Sequence, residues 1–216
     1  MSGWHHDGVD IEASYDRVAE DYAAQFQDEL SRKPFDRRML DWLIEKVGRA
    51  GTICDIGCGP GQIARYLHDR GAEACGIDLA AGMVACARRL NPGIRFERGD
   101  MLALGEVADG AFGGIAAFYS IHHFTCAERA KAFAEWHRVL APRGALLAAF
   151  HAGQDVVHTE EWWGKPVSLD FIFCDRAEVM AQLREAGFEI EEAIERDCYP
   201  DVEYQSRRAY VFGRRP

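Results

Sequence analysis

The sequence predicts an α/β protein built on a doubly wound, mostly parallel sheet. Two observations predict it. From residue 51 onward, short apolar runs alternate with stretches of helical spacing. Parallel strands need crossovers, so that alternation builds a parallel sheet with helices on both faces. The first run, "TICDI" (52–56), is followed at once by alternate glycines, Gly57, Gly59 and Gly61. A glycine-rich turn after the first strand lies at the carboxyl edge, where such sheets hold ligands.

In chain order, the first 50 residues read as helix. Tyr15, Val18, Ala19, Tyr22 and Phe26 share one helical face behind a cap at Ser14. A second helix starts near Pro34, turns Phe35, Met39, Leu43 and Val47 inward, and stops at Gly48 and Gly51. After "TICDI" comes a helix carrying Ile63, Ala64 and Leu67, ended by Gly71. "ACGID" (74–78) is the second strand, and its helix runs through Met83 and Ala87 to "NPG" (91–93). "IRFERGD" (94–100) and "GGIAAFYS" (113–120) continue the series. "TCAE" (125–128) is a capping box opening a helix with Phe133, Trp136 and Leu140 inward; "PRG" (142–144) ends it before the strand "ALLAAFH" (145–151). Residues 153–174 carry few helix or strand signals and read as an irregular insertion holding Trp162, Trp163, Phe171 and Phe173. "DRAE" (175–178) opens one more helix, ending at Gly187. Two closing strands, 188–195 and 209–213, are joined by a short connection without a helix, which favours an antiparallel pair.

Composition narrows the function classes. The 216 residues are 48% hydrophobic and 28% charged, an ordinary balance for one domain with a full core. The net charge of -10 opposes nucleic acid held through its phosphates, and the basic pairs, Arg207–Arg208 among them, read as solvated faces. No apolar run approaches the roughly 18 residues of a membrane span, and "MSGWHHDGVD" lacks the features of a secretory signal. Seven scattered cysteines without a CxxC pair suggest neither a disulfide framework nor a zinc site, so reduced thiols in the cytoplasm and no metal are expected.

The glycines leave room for a nucleoside-bearing ligand, and the next helix points its positive end into that space. Asp78, at the end of the second strand, is placed to accept from two ribose hydroxyls, and Asp100, ending the third, from an adenine amino group. A nicotinamide dinucleotide would call for G-x-G-x-x-G and a pyrophosphate loop; the pattern here is G-x-G-x-G.

With these motifs the sequence resembles the class I S-adenosylmethionine-dependent methyltransferases. "DIGCGPG" resembles their first motif, "GIDLAAGMVACAR" the second strand end and its helix, "GDM" the third motif, and "RVLAPRGALL" the L-x-P-G-G join, with Arg143 in place of the first glycine. The resemblance is good over residues 14–151 and implies seven strands in the order 3-2-1-4-5-7-6, the seventh antiparallel. It implies N-terminal helices over 14–50, a cofactor core over 51–151 and a substrate-side insertion over 153–174, all in one domain.

It also implies roles. Backbone at Gly57, Cys58, Gly59 and Gly61 would lie along the cofactor, with Asp55 reaching its amino group and Asp78 its ribose. Leu79 and Met83 would flank adenine, Asp100 and Met101 would read its edge, and the Phe118 carbonyl would face the amino group. Tyr15 and Tyr22 would cover the cofactor; core packing is the alternative for both. The candidate bases are His122, His123 and His151 at the carboxyl edge, with Tyr119 beside them, because histidine titrates near neutral pH. One of the adjacent His122 and His123 should face the cleft. His5, His6 and His158 are less well placed. The expected reaction is methyl transfer to an O, N or S nucleophile of a small molecule, by a monomer or homodimer. The alternatives are a methyltransferase of tRNA or protein, and a cofactor-binding module without catalysis. The insertion and first helix are expected to roof the cleft, with at least one of the four insertion aromatics facing substrate.

Overall fold

Runs of apolar residues without alternation are what strands buried on both faces require. β4 (Phe112–Phe118) is buried at every residue and β1 (Ile53–Ile56) likewise. They lie at the middle of a seven-stranded sheet with β2 (Ala74–Asp78), β3 (Arg95–Arg98), β5 (Leu140–Ala152), β8 (Glu189–Arg196) and β9 (Arg207–Arg214). Its order is β3-β2-β1-β4-β5-β9-β8. β1 to β5 pair in parallel, and β9 runs antiparallel to both β5 and β8. The labels of the last two strands differ from the expected order only because the insertion contributes two strands of its own. The computed structural model describes residues 9–216, so His5 and His6 lie outside the described residues.

Helices cover both faces. On one, α5 (Cys126–Val139) and α6 (Arg176–Glu185) bury Phe133, Trp136, Val179 and Leu183 against Ile115, Leu146 and Phe150. On the other, α2 (Pro34–Val47) and α3 (Gln62–Asp69) bury Leu40, Leu43, Ile63 and Leu67 against Ile53, Leu147 and Phe212. α4 (Ala81–Leu90) packs beside β2 and β3 and carries Met83, Cys86 and Ala87 inward. Thr125 and Glu128 form the expected reciprocal capping box of α5.

Three local expectations are corrected. The first helix, α1 (Ile11–Phe26), is capped by Asp10, whose carboxylate accepts the Ala13 N–H at 3.0 Å. Ser14 lies inside the first turn, fully buried, and its Oγ accepts the Ser168 N–H at 2.9 Å. "PRG" does not separate helix from strand: β5 begins at Leu140, opposite Phe112, and the three residues form an irregularity before Ala145 pairs with Gly114, with Arg143 at φ 64°. The segment after β5 is not irregular. It is an antiparallel hairpin, β6 (Val156–Trp162) and β7 (Lys165–Ile172), turning through Trp163 and Gly164 at φ 50° and 73°. Val167, Leu169 and Phe171 do alternate, with the first two buried on Val18 of α1. The turn pair Trp163–Gly164 is not one of the usual hairpin signals, which hides the strand pattern.

The glycine turn shows why bare backbone is needed. Gly57, Gly59 and Gly61 all have positive φ, 73°, 51° and 86°. A Cβ at Gly61 would fall 2.7 Å from Phe96 Cζ and 2.8 Å from Asn91 Nδ2, both buried. Gly61→Ala should therefore lower unfolding free energy by about 2–4 kcal/mol, from left-handed strain plus overpacking. A urea midpoint equal to the parent's would show that the turn tolerates a side chain.

Candidate active site

The loop after β1 is held open by its neighbour. Asp78, at the end of β2, accepts the Gly59 N–H on Oδ2 at 2.8 Å and the Ala80 N–H on Oδ1 at 2.9 Å. Burial pushes its pKa up, opposed by those backbone donors. Above this edge lies a chamber of about 190 Å3. Gly57, Cys58, Gly59, Asp78, Leu79, Met83, Asp100, Met101 and Phe118 line it, as do Tyr15 and Tyr22 from α1. Asp100 Oδ1 also accepts the Leu102 N–H at 2.8 Å.

Two of the expected residues stand elsewhere. Asp55 is 1% exposed and does not line the chamber; its Oδ2 accepts the Ala64 N–H at the start of α3, at 3.2 Å. Gly61 is likewise absent from the lining and serves the packing of β3 and α4. Asp55 therefore orients the helix that follows the loop, and a ligand would meet the loop's backbone first.

The chamber's charge tests what it can hold. Its lining carries four carboxylates, Glu12, Asp78, Asp100 and Glu128, and neither lysine nor arginine. A pyrophosphate would lack a cationic partner there, whereas a sulfonium and an ammonium group find opposite charge. With a bare backbone floor, the apolar flanks of Leu79 and Met83, and acids at two strand ends, these residues fit S-adenosylmethionine.

α1 and the β6–β7 hairpin form one roof. Lys165 of β7 donates to the Arg17 carbonyl at 3.0 Å and pairs with Asp21 at 2.7 Å. On the other side, Asp16 accepts the Gly82 N–H at 2.6 Å, and Glu12 pairs with Arg98. Trp162 meets Tyr15 and Tyr22 edge-on, with centroids at 6.2 and 5.8 Å.

A second cavity of about 430 Å3 opens beneath the hairpin. It shares Tyr15, Tyr22, Gln62, Phe118, Tyr119 and His122 with the first chamber. Trp162, Phe171 and Phe173 line it, while Trp163 stacks on Trp162 at 4.8 Å and stays 40% exposed. Three of the four insertion aromatics thus face this space. His151 lines it too, stacked on Phe173 at 5.1 Å.

The hydrogen bonds decide the histidine tautomers. His123 Nδ1 lies 2.7 Å from the Asp170 carbonyl, which only accepts, so Nδ1 carries the proton. The one lone pair of His123 Nε2 then takes the Tyr15 O–H at 2.8 Å, and His122 Nε2, 3.1 Å from the same atom, carries its own proton because two lone pairs would repel there. His122 is left with a lone pair on Nδ1, a buried atom without a partner. Burial, aided by His123, His151 and Arg208, holds the His122 pKa well below the usual 6.5. Burial likewise pulls His123 down to about 4 and His151 to about 3. Tyr119, at φ 52°, is a wall residue whose hydroxyl lies 3.3 Å from that of Tyr210. His158 pairs with Asp170 at 2.6 Å on the hairpin.

Sequence reasoning missed the charged rim of the second cavity: Glu29, Lys33, Glu203 and Arg208, with Tyr204. Arg208 is 3% exposed, the reverse of the solvated face expected of its basic pair. On a strand, neighbours point to opposite faces, so Arg207 faces out and Arg208 in. Reading 207–214 as a strand is the signal that could have found it. Among the described residues no group of His, Cys, Asp or Glu is arranged to hold a metal ion.

Residues 53–144 match the family model of a methyltransferase domain. A malonyl-[acyl-carrier protein] O-methyltransferase of Pseudescherichia vulneris is 28% identical over 155 residues, 71% of this chain and 58% of that protein. A demethylmenaquinone methyltransferase of Thermus thermophilus is 38% identical over 117 residues, 51% of each chain. The chain thus spans between half and three fifths of the length of these two curated relatives. Among solved structures, an S-adenosylmethionine-dependent methyltransferase of Mesorhizobium loti superposes with a TM-score of 0.65 at 22% identity, covering 82% of this chain and 96% of that one. One from Methanosarcina mazei gives 0.68 at 18% identity, covering 76% and 92%. The match, the strand order and the acid-rimmed glycine loop identify residues 53–144 as a methyltransferase domain, in a chain with the fold of the class I S-adenosylmethionine-dependent methyltransferases.

Proposed function

We propose that the protein transfers the methyl group of S-adenosylmethionine to a hydroxyl of a small molecule. The observation that carries this is the pair of adjoining cavities. One is acid-lined and meets the glycine loop; the other is aromatic-lined, and both share Phe118, Tyr119 and His122. A space of about 430 Å3 is of the size that holds small ligands. The net charge of -10 and the roofed site argue against tRNA.

S-adenosylmethionine, when bound, supplies a methyl group already activated on a positively charged sulfur. The chain's own residues have three tasks. Gly57, Cys58 and Gly59 would hold the methionine part, Asp78 the ribose, and Asp100 with the Met101 N–H the adenine edge. Tyr15, Tyr22 and the hairpin exclude water, which would compete for the methyl group. His122, which lines both cavities, is assigned the proton of the substrate hydroxyl; its Nδ1 is buried here, so the ring must shift toward the cavity to take it. Its depressed pKa keeps it neutral, and so able to accept, throughout the neutral range. Tyr15 and the Asp170 carbonyl hold His123, and His123 holds His122 in the tautomer that leaves Nδ1 free.

Three outcomes test this reading. Calorimetry should show binding of S-adenosylmethionine and S-adenosylhomocysteine and none of NAD; Asp78→Ala should weaken that binding by roughly 1.5–3 kcal/mol, as for a lost hydrogen bond to a charged group. Unchanged affinity in a folded variant would remove Asp78 from the site. With labelled cofactor and a panel of phenols, thiols and amines, His122→Ala should lower turnover by about 10²–10⁴-fold. In the parent, the acid limb of kcat/KM should lie below pH 6.5, because the group must be neutral and its pKa is lowered; a limb above 6.5 would exclude His122 as the base. Alanine at Trp162, Phe171 or Phe173 should raise substrate KM with little change in cofactor affinity. Stability loss without a kinetic effect at all three would make the hairpin a structural element only.

A further inference from the structure

We infer that the second cavity selects a flat aromatic carboxylate, anchored at its far end by Arg208 and His151. This rests on the methyl-transfer reading and adds the substrate class to it. Arg208 and His151 line the second cavity and not the first, so a group held there lies away from the cofactor chamber.

Arg208 is a buried cation with incomplete compensation. Its Nη1 donates to the Ser206 carbonyl at 2.8 Å and to Ser206 Oγ, and its Nη2 to the Tyr204 carbonyl at 3.0 Å. Its Nε has no hydrogen-bond partner. The nearest carboxylate, Glu203, stands at 3.8 Å and is committed elsewhere. Both its oxygens accept from Arg196, at 2.7 and 2.8 Å, and it also accepts the Tyr199 N–H at 2.8 Å. Those donors hold the Glu203 carboxyl down to about 2. The other acid on the rim, Glu29, accepts from Lys33 at 2.6 Å and from Gln62 at 3.0 Å. A buried guanidinium is costly without an anion, and the cavity wall is where one can arrive.

His151 completes the anchor as a donor rather than a base. Ser206 Oγ accepts from Arg208, and its own proton has two acceptors within reach. His151 Nδ1 lies at 2.7 Å and the Arg207 carbonyl at 3.5 Å, so distance gives the proton to His151. His151 Nδ1 is then the acceptor, and the proton of the neutral ring sits on Nε2. Arg208 and Lys33 add to the burial that keeps this ring neutral. His151 thus has an N–H to offer where His122 has a lone pair, and the two rings are 5.9 Å apart. A carboxylate at the first and a hydroxyl at the second describe a hydroxylated aromatic acid. The walls suit its body: Phe171 and Phe173 come from the hairpin side and Phe118 and Tyr119 from the sheet. A protonated amine at the anchor would meet the Arg208 charge and the His151 N–H, while both Glu203 oxygens are already taken by Arg196.

The test uses the full chain saturated with S-adenosylhomocysteine. Hydroxybenzoates, hydroxycinnamates and hydroxynaphthoates are titrated by calorimetry, each beside its methyl ester and the matching aryl-methylamine. At least one acid should bind about tenfold or more tighter than its ester, with the amine weakest. His151→Phe and Arg208→Met should bring the acid-to-ester ratio close to one, and His151→Gln, which keeps a donor, should restore most of it. Should Arg208→Met not fold, the contrast between the two His151 variants decides. Equal affinity for acid and ester across the panel, a preference for the amine, or no binding of any acid would overturn the anchor. Failure of S-adenosylhomocysteine to bind would instead sink the methyl-transfer reading, and the anchor would still be judged by the acid-to-ester ratio on the protein alone.

Discussion

The site depends on one constraint: β1, β4 and β5 are buried on both faces and run parallel. Parallel strands finish at the same edge, so the loops that follow them must converge there. The glycine turn after β1, Asp78 at the end of β2, and the Tyr119–His123 segment after β4 are brought together by that geometry alone. Helices on both faces leave that edge as the open side, and α1 with the hairpin closes it. The first strand is only four residues long, so the loop's shape is set by its neighbours, chiefly the Asp78 carboxylate on the Gly59 N–H.

A second buried network shapes the far end of the second cavity. Arg196 of β8 donates to Asp36 at 3.1 Å, to Tyr210 at 3.0 Å and to both oxygens of Glu203. Tyr210 donates in turn to Asp36, which is 1% exposed and whose pKa burial raises. A charged group at such a depth is tolerated only with partners on every side. The network ties α2 to the β8–β9 connection and so carries Glu203, Tyr204 and Arg208 to the cavity wall. Residues far from the glycine motif thereby decide the shape and charge of the second cavity.

The three histidines show how hydrogen bonding divides one residue type among several tasks. Backbone at Asp170 fixes His123, His123 fixes His122, and Ser206 fixes His151. All three are kept neutral by burial, yet they offer different faces to a ligand. His122 lines both cavities and His151 only the second. The hairpin matters twice here, supplying aromatic walls and the carbonyl from which the His122 tautomer follows.

The alternation of apolar runs with helical periods, the glycines and the acids at strand ends are all legible along the chain. Each is a local pattern: burial on both faces writes a continuous apolar run, and a left-handed turn writes glycine. The sheet, its core and the cofactor edge therefore follow from the order of residues alone. Asp55 and Gly61 share that motif, yet one orients α3 and the other clears space for Phe96, because motif membership does not say which way a side chain turns. The hairpin is written as alternation at Val167, Leu169 and Phe171 but obscured by its turn. Arg208, Lys33 and Glu203 come from a strand, the entry to α2 and a helix-free connection, and no local pattern joins them. Their meeting is decided only when β9 pairs with β5 and the Arg196 network draws its neighbours in. Long-range packing, rather than periodicity, therefore determines the second cavity of this protein.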